Sequence, residues 1–144
     1  MRVKLCGVFV AVFVLGAAVS TFAHHGYSVE FDGSKCMDLR GTLTSLIWEN
    51  PHGSFDMDVN DANGNTVSWH IELLTPNAMK RNGTTRLDFE AHMGTVMDAR
   101  VCPARIGFGV NRASAEYIKM ADGLIRIVGQ LPEQITPQEL SFWD

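Results

Sequence analysis

Positive charge is scarce in this sequence, and the shortage excludes two classes of partner. The chain has 12 Lys+Arg against 16 Asp+Glu. Nucleic-acid binding requires lysines and arginines that neutralise phosphates, and an anionic membrane surface attracts basic segments. We therefore expect no nucleic acid among the partners, and no membrane once the export signal described below has been removed.

Catalytic sequence motifs are also lacking. The chain contains no G-x-S-x-G, no G-x-G-x-x-G, no P-loop, no H-E-x-x-H and no paired C-x-x-C. In the absence of these motifs, a binding protein is favoured over an enzyme.

One long apolar run, Leu5 to Phe22, predicts a cleaved export signal over residues 1–23. Arg2 and Lys4 precede the run, and small residues at its end, Thr21 and Ala23, resemble a processing site. The alternative is an uncleaved membrane anchor, because the run is about as long as a minimal membrane-spanning helix. Cleavage predicts a periplasmic or secreted chain of 121 of the 144 residues, one domain in size. Its net charge changes from −4 to −6, because two basic residues leave with the signal.

Cysteines are few, and only Cys36 and Cys102 remain after this cleavage. An even number of cysteines in an exported domain favours a disulfide. A buried free thiol or a metal ligand is the alternative for each of them.

Short alternating segments predict an all-β fold with one short helix. Apolar and polar residues alternate over 55–59 and 67–73, on either side of a hairpin turn at 61–65. Further strands are predicted over 37–49 and 97–101, and residues 116–128 predict a fifth strand or a final hairpin. Met57, Met97 and Met120 fall at inward positions and are expected in the core. The helix begins at Thr75-Pro76 and ends at Gly83.

Three strands, a helix and then one or two strands is the order of a small five-stranded barrel of the oligonucleotide/oligosaccharide-binding (OB) type. The expected domain covers residues 37–129, between an N-terminal lead over 24–36 and a loosely attached C-terminal tail over 130–144. Strand one of such a barrel pairs antiparallel with strand four, which brings Cys36 near Cys102. The alternative fold is an open antiparallel sheet or a small sandwich.

Histidines at the new N-terminus predict a metal site. Cleavage after Ala23 leaves His24 first, so that its α-amine and imidazole form a chelating pair, and His25 adds a second imidazole. His52, in the Asn50-Pro51-His52-Gly53 turn, is the candidate for a distant third ligand, and such nitrogen sets suit Cu(II). The alternative is that the two terminal histidines are simply a polar chain end.

Two other functional hypotheses remain beside copper binding. One is an accessory or ligand-binding module without metal or catalysis, in which Trp48 and Trp69 line a groove, although tryptophans are more often core residues. The other is an enzyme, a redox enzyme if copper is bound. His70 and His92 have no assigned role and are expected on solvated surface.

Three segments resemble a bacterial exported family of unknown function, the 6152 type. They are His24-His25-Gly26-Tyr27-Ser28-Val29-Glu30-Phe31-Asp32, Trp48-Glu49-Asn50-Pro51-His52, and Trp69-His70-Ile71-Glu72-Leu73 followed by Pro76-Asn77. The resemblance implies export and a shared fold, and no activity. It includes the three candidate metal ligands and the candidate groove residues Trp48, Asn50, Trp69, Glu72 and Asn77. Cys36 and Cys102 are not part of its pattern.

Overall fold

The computed structural model of the protein describes residues 26–144. Within these residues, six strands and three short α-helices follow one another, with a 3₁₀ turn near the end. They are α1 (Tyr27–Glu30), β1 (Met37–Ile47), β2 (Ser54–Asn60), β3 (Thr66–Glu72), α2 (Pro76–Arg81), α3 (Arg86–Ala91), β4 (Val96–Pro103), β5 (Arg112–Lys119), β6 (Ile125–Ile127) and the 3₁₀ turn Pro137–Glu139. The predicted export signal, His24 and His25 lie outside the described residues. Within residues 26–144, no helix is both long and apolar enough to cross a membrane.

Strands β1 to β5 form a closed barrel, which confirms the predicted OB-like all-β fold. The sheet order is β3-β2-β1-β4-β5-β6, and a parallel pairing between β3 and β5 closes the barrel. The long strand β1 pairs with β4 through its first half and with β2 through its second half. Gly41 lies where these two pairings meet, and a Cβ there would overlap the carbonyl oxygen of Asp58. Residues 116–128, predicted as a fifth strand or a final hairpin, form a hairpin in which the short strand β6 pairs antiparallel with the end of β5.

Apolar side chains that alternate with polar ones along the strands fill the barrel interior. Met57, Met97 and Met120 are at most 3% exposed, as predicted. They pack in one cluster with Leu43, Phe55, Ile71, Leu73, Ala99, Val101, Ala113, Ala115, Ile118 and Val128.

Helices α2 and α3 cover one end of the barrel, where they bury Met79 and Phe89 completely. Helix α2 begins as predicted, because the Thr75 hydroxyl accepts a hydrogen bond from the Ala78 amide. The prediction of a single helix was wrong. Helix α3 follows directly, and its start is held by a capping box in which Asp88 accepts hydrogen bonds from the Thr85 amide and hydroxyl.

The C-terminal segment 130–144 packs against the barrel, so the prediction of a loosely attached tail was wrong. The Tyr117 hydroxyl donates to the Ile135 carbonyl at 2.8 Å, and Leu140 is 5% exposed. Arg100 on β4 donates twice to Glu133, both at 2.8 Å. These tertiary contacts hold a segment that has little secondary structure of its own.

The N-terminal lead covers the part of the outer barrel surface next to the C-terminal segment. Phe31 is 2% exposed and forms an isolated antiparallel bridge with Ala104, just after β4. Met37 pairs with Val101, so the adjacent Cys36 and Cys102 meet at disulfide-bonding distance. This confirms the predicted cysteine pair and the strand pairing from which it follows.

Candidate functional site

A cleft of about 230 Å³ lies where the N-terminal lead meets the turn after β1. Four parts of the chain contribute its walls: the lead with α1, the turn between β1 and β2, the end of β3, and the segment after β6. The lining residues are Gly26, Tyr27, Glu30, Phe31, His52, Glu72 and Gln130. The cleft therefore joins the first described residue of the chain to the turn histidine singled out from the sequence.

His52 is held in place by backbone bonds that extend the β2–β3 pairing into the turn. The Leu73 amide donates to the Gly53 carbonyl at 2.8 Å, and the Gly53 amide donates to the Leu74 carbonyl at 3.1 Å. A side chain at position 53 would crowd Met79, whose Cε would lie 3.1 Å from the added Cβ. The glycine thus lets the turn lie close to α2 and fixes the backbone next to His52.

The His52 imidazole presents one nitrogen for a ligand. Its Nδ1 lies 3.2 Å from the Leu73 carbonyl oxygen. Because a carbonyl can only accept, Nδ1 carries the hydrogen, and the lone pair of the neutral ring is on Nε2. A backbone carbonyl that fixes the ring in this way is a common outer-shell contact of metal-ligating histidines. The His52 side chain is 40% exposed.

Two carboxylates and one guanidinium set the charge of the cleft. Arg112 Nη2 lies 2.5 Å from Glu30 Oε1 and 3.0 Å from Glu72 Oε2, and Glu72 Oε1 is 3.6 Å from His52 Nδ1. The parallel pairing of β3 with β5 brings Glu72 and Arg112 together. With two negative charges against one positive charge, the cleft attracts cations.

Tyr27 adds a buried phenol to the cleft. Its oxygen has no hydrogen-bond partner among the described residues, and its ring packs on Phe31 at 5.4 Å between centroids. Burial, with Glu116 nearby, raises the pKa of Tyr27. The phenol therefore stays neutral and keeps a hydrogen to donate.

The candidate groove residues do not lie in one groove. Glu72 lies in the cleft with His52, whereas Asn50 is exposed in the turn and Asn77 is exposed on α2. Trp48 packs on Phe89, with ring centroids 5.8 Å apart, near the helix-covered end of the barrel. Trp69 lines a separate apolar cleft of about 270 Å³ with Leu39, Val59, Asp61, Val67 and Asn111. Both tryptophans are only partly buried.

The two remaining histidines make local contacts elsewhere. His70 Nδ1 lies 2.7 Å from Asp56 Oδ1, and Ser45 donates to the other oxygen of Asp56 at 2.6 Å. Although partial burial raises the pKa of Asp56, these two hydrogen bonds outweigh it and keep that pKa below its ordinary value. His92, which directly follows α3, lies with its Nδ1 2.7 Å from the Asp88 carbonyl oxygen of that helix. Neither histidine lines the cleft.

The sequence did not predict Glu30, Tyr27 and Gln130 as cleft residues, nor Arg112 as the partner of Glu30 and Glu72. For Arg112 a signal was available, since the OB strand order predicts that β3 and β5 are neighbours and Glu72 lies at the end of β3. Gln130 lies in the predicted tail, whose docking has no local sequence signature.

Comparison with known proteins adds a family and no activity. Neither curated proteins nor solved structures provide a match to the chain. A family model matches residues 11–111, which include the lead, the His52 turn and most of the barrel. The chain belongs to DUF6152, a family of unknown function.

Proposed function

We propose that the protein is a small exported, periplasmic binding protein that holds a copper ion through His24, His25 and His52. The carrying observation is that Gly26 and His52 line the same cleft. His25 directly precedes Gly26, and consecutive Cα atoms lie about 3.8 Å apart. In the sequence, His25 and His24 are therefore one and two residues from Gly26, which lines the same cleft as His52.

The donor set suits a divalent copper ion. Removal of residues 1–23 frees the α-amine of His24, which titrates near 8 and pairs with its own imidazole in a chelate. His52 Nε2 supplies a nitrogen from a distant part of the fold. Three or four nitrogens in a tetragonal arrangement are typical of Cu(II) sites.

The cleft supports such a site in two further ways. The Leu73 carbonyl fixes the His52 ring so that Nε2 is the free nitrogen. Glu30 and Glu72 outnumber the single guanidinium of Arg112, which lowers the energy of a bound cation without their serving as ligands.

Calorimetric titration with Cu(II) tests the proposal. The full gene is expressed in a bacterial host, the exported protein is recovered, and mass spectrometry determines its first residue. We expect a chain beginning at His24 that binds one Cu(II). His52→Ala is expected to weaken binding by at least tenfold. His70→Ala is the matched control, because it also removes a half-exposed imidazole whose Nδ1 is hydrogen-bonded, and it is expected to leave binding unchanged.

The contribution of the terminal amine has its own control. A form that retains Ala23 moves the α-amine away from His24 and is expected to bind Cu(II) more weakly than the form beginning at His24. If the parent chain and His52→Ala bind Cu(II) with equal affinity, the proposed site is refuted. An exported chain that begins at another residue would remove the amine chelate.

A second candidate function is an accessory ligand-binding module that uses no metal. The observation in its favour is the apolar cleft beside Trp69. Small apolar compounds would then quench or shift tryptophan fluorescence in the parent chain but not in Trp69→Leu, with Trp48→Leu as the control.

A further inference from the structure

A buried carboxylate lies against the disulfide, on the outer face of β4 and β5. Cys102 belongs to β4 and Glu116 to β5. The two sulfur atoms and one Glu116 carboxylate oxygen all lie within 4.8 Å of one another. Among residues 26–144, this is the one group of three His, Cys, Asp or Glu side chains that lie so close together, and none of the three lines the His52 cleft.

Glu116 is poorly solvated. The residue is 0% exposed; its Oε1 accepts one long hydrogen bond from the Glu133 amide, at 3.4 Å, and its Oε2 has no partner. An ionised carboxylate with so few hydrogen bonds is unfavourable in the interior. Burial accordingly raises the pKa of Glu116 to about 7, so the group holds and releases a proton near neutrality.

Because of the charged groups around it, Glu116 and not Glu133 is the carboxyl group that is protonated. Arg100 is engaged by Glu133 and by Asp38, at 3.1 Å for the latter. The Arg100 guanidinium lowers the pKa of Glu133, so Glu133 stays ionised and disfavours a second negative charge on Glu116. The phenols of Tyr27 and Tyr117, the other titratable groups nearby, have raised pKa values and stay neutral.

The two cysteines differ in access. Cys36 is partly exposed, whereas Cys102 is 0% exposed. We therefore expect a thiolate from solution to attack at Cys36, with the sulfur of Cys102 as the leaving group. A thiolate left in this buried position lacks solvation, and Glu116 is the nearest buried acid.

We propose that Cys36 and Cys102 form a reducible thiol–disulfide site in which Glu116 exchanges a proton with Cys102. A thiolate of a small dithiol attacks Cys36 Sγ, the Cys36–Cys102 bond breaks, and a mixed disulfide with Cys36 forms. The electron pair leaves on Cys102 Sγ, which takes the proton of Glu116. The second thiol of the dithiol then loses its proton to water and attacks the mixed disulfide. It releases Cys36, which is protonated by water, and the dithiol leaves as a cyclic disulfide. In the oxidising direction, the Glu116 carboxylate takes the proton from Cys102.

The test is the rate at which dithiothreitol reduces the full exported chain between pH 6 and pH 9. Reduced cysteines are alkylated and counted by mass spectrometry, and each rate is divided by the thiolate fraction of the reagent. In the parent chain the normalised rate is expected to rise as the pH falls through about 7. Glu116→Gln keeps the shape of the side chain without its acidic proton. Because a positioned acid typically contributes 10²–10⁴-fold, this variant is expected to react at least tenfold more slowly at pH 6, with no pH dependence.

Two further variants keep the proposal falsifiable. Glu116→Asp retains a carboxyl group and is expected to keep the pH dependence. Glu90→Gln alters an exposed carboxylate of α3 and is expected to match the parent. A flat normalised rate in the parent chain would overturn the proposal, and so would a pH dependence that survives in Glu116→Gln. The same holds for a reduction rate that equals the rate of global unfolding, because the disulfide would then react only in the unfolded chain.

Discussion

Glu116 makes the stability of the protein fall as the pH rises. Its pKa is raised from 4.5 to about 7 in the folded chain, chiefly by burial. Between these two values the folded chain binds more protons than the unfolded chain, so the free energy of unfolding decreases with increasing pH. The stabilisation is complete below about pH 4.5 and is lost as the pH rises through about 7. One pKa unit corresponds to about 1.4 kcal/mol, so the full effect is about 3 kcal/mol.

Glu116→Gln isolates this contribution. Gln is neutral at every pH, so the variant resembles the protonated parent and does not lose stability as the pH rises. The difference in free energy of unfolding between variant and parent is expected to grow from near zero at pH 4.5 to about 3 kcal/mol in favour of the variant at pH 8.

Urea unfolding followed by far-ultraviolet circular dichroism, with the disulfide intact, measures this difference at each pH. The contributions of titrating groups distant from Glu116 cancel between the two chains. Glu90→Gln serves as the control and is expected to follow the parent. A difference that does not change between pH 4.5 and pH 8 would refute the reasoning, because Glu116 would then titrate as it does in the unfolded chain.

Two further perturbations test the barrel itself. Asp122 lies 2.6 Å from the buried guanidinium of Arg126, and hydrogen bonding to that group lowers the pKa of Asp122 from 3.8 to about 2. Because Asp122 is solvent-exposed and its ion pair is screened, Asp122→Asn is expected to lower the free energy of unfolding at pH 7 by about 1 kcal/mol, less than the full pKa shift would give. The contribution of Asp122 is present above about pH 4 and is lost toward pH 2. The loss of free energy of unfolding in the variant, measured by urea unfolding, should therefore be smaller at acid pH. An equal loss at pH 3 and pH 7 would contradict the lowered pKa of Asp122. Replacing Cys36 and Cys102 together by Ser removes a crosslink of sequence separation 66, and is expected to lower the same free energy by about 4 kcal/mol; a loss below 1 kcal/mol would show that the crosslink constrains the unfolded chain little.

Much of the barrel was predictable because apolar and polar residues alternate along its strands. The strands β2 and β3 were placed to within a residue or two, since an apolar residue occupies every second position of each strand. The cysteine pair followed from the expected pairing of β1 with β4. These features depend on local periodicity and on one rule of strand order.

Other elements depend on contacts that no local pattern announces. The docking of the tail comes from single tertiary bonds, such as that of Tyr117 to the Ile135 carbonyl. Helix α3 was missed although Thr85 and Asp88 have the spacing of a capping box. In the cleft, His52 and Glu72 were identified from the sequence, but their neighbour Arg112 required knowledge of which strand lies beside β3.

In the proposed copper site, His52 from a distant turn binds the same ion as the histidines of the chain end. Pulsed electron paramagnetic resonance of the exported chain with one equivalent of Cu(II) tests this shared site, because the echo modulation arises from the distal ring nitrogen of each imidazole that binds the ion. We expect His52→Ala to remove the contribution of one imidazole from the signal and His70→Ala to leave the signal unchanged. An identical signal in the parent chain and His52→Ala would contradict it.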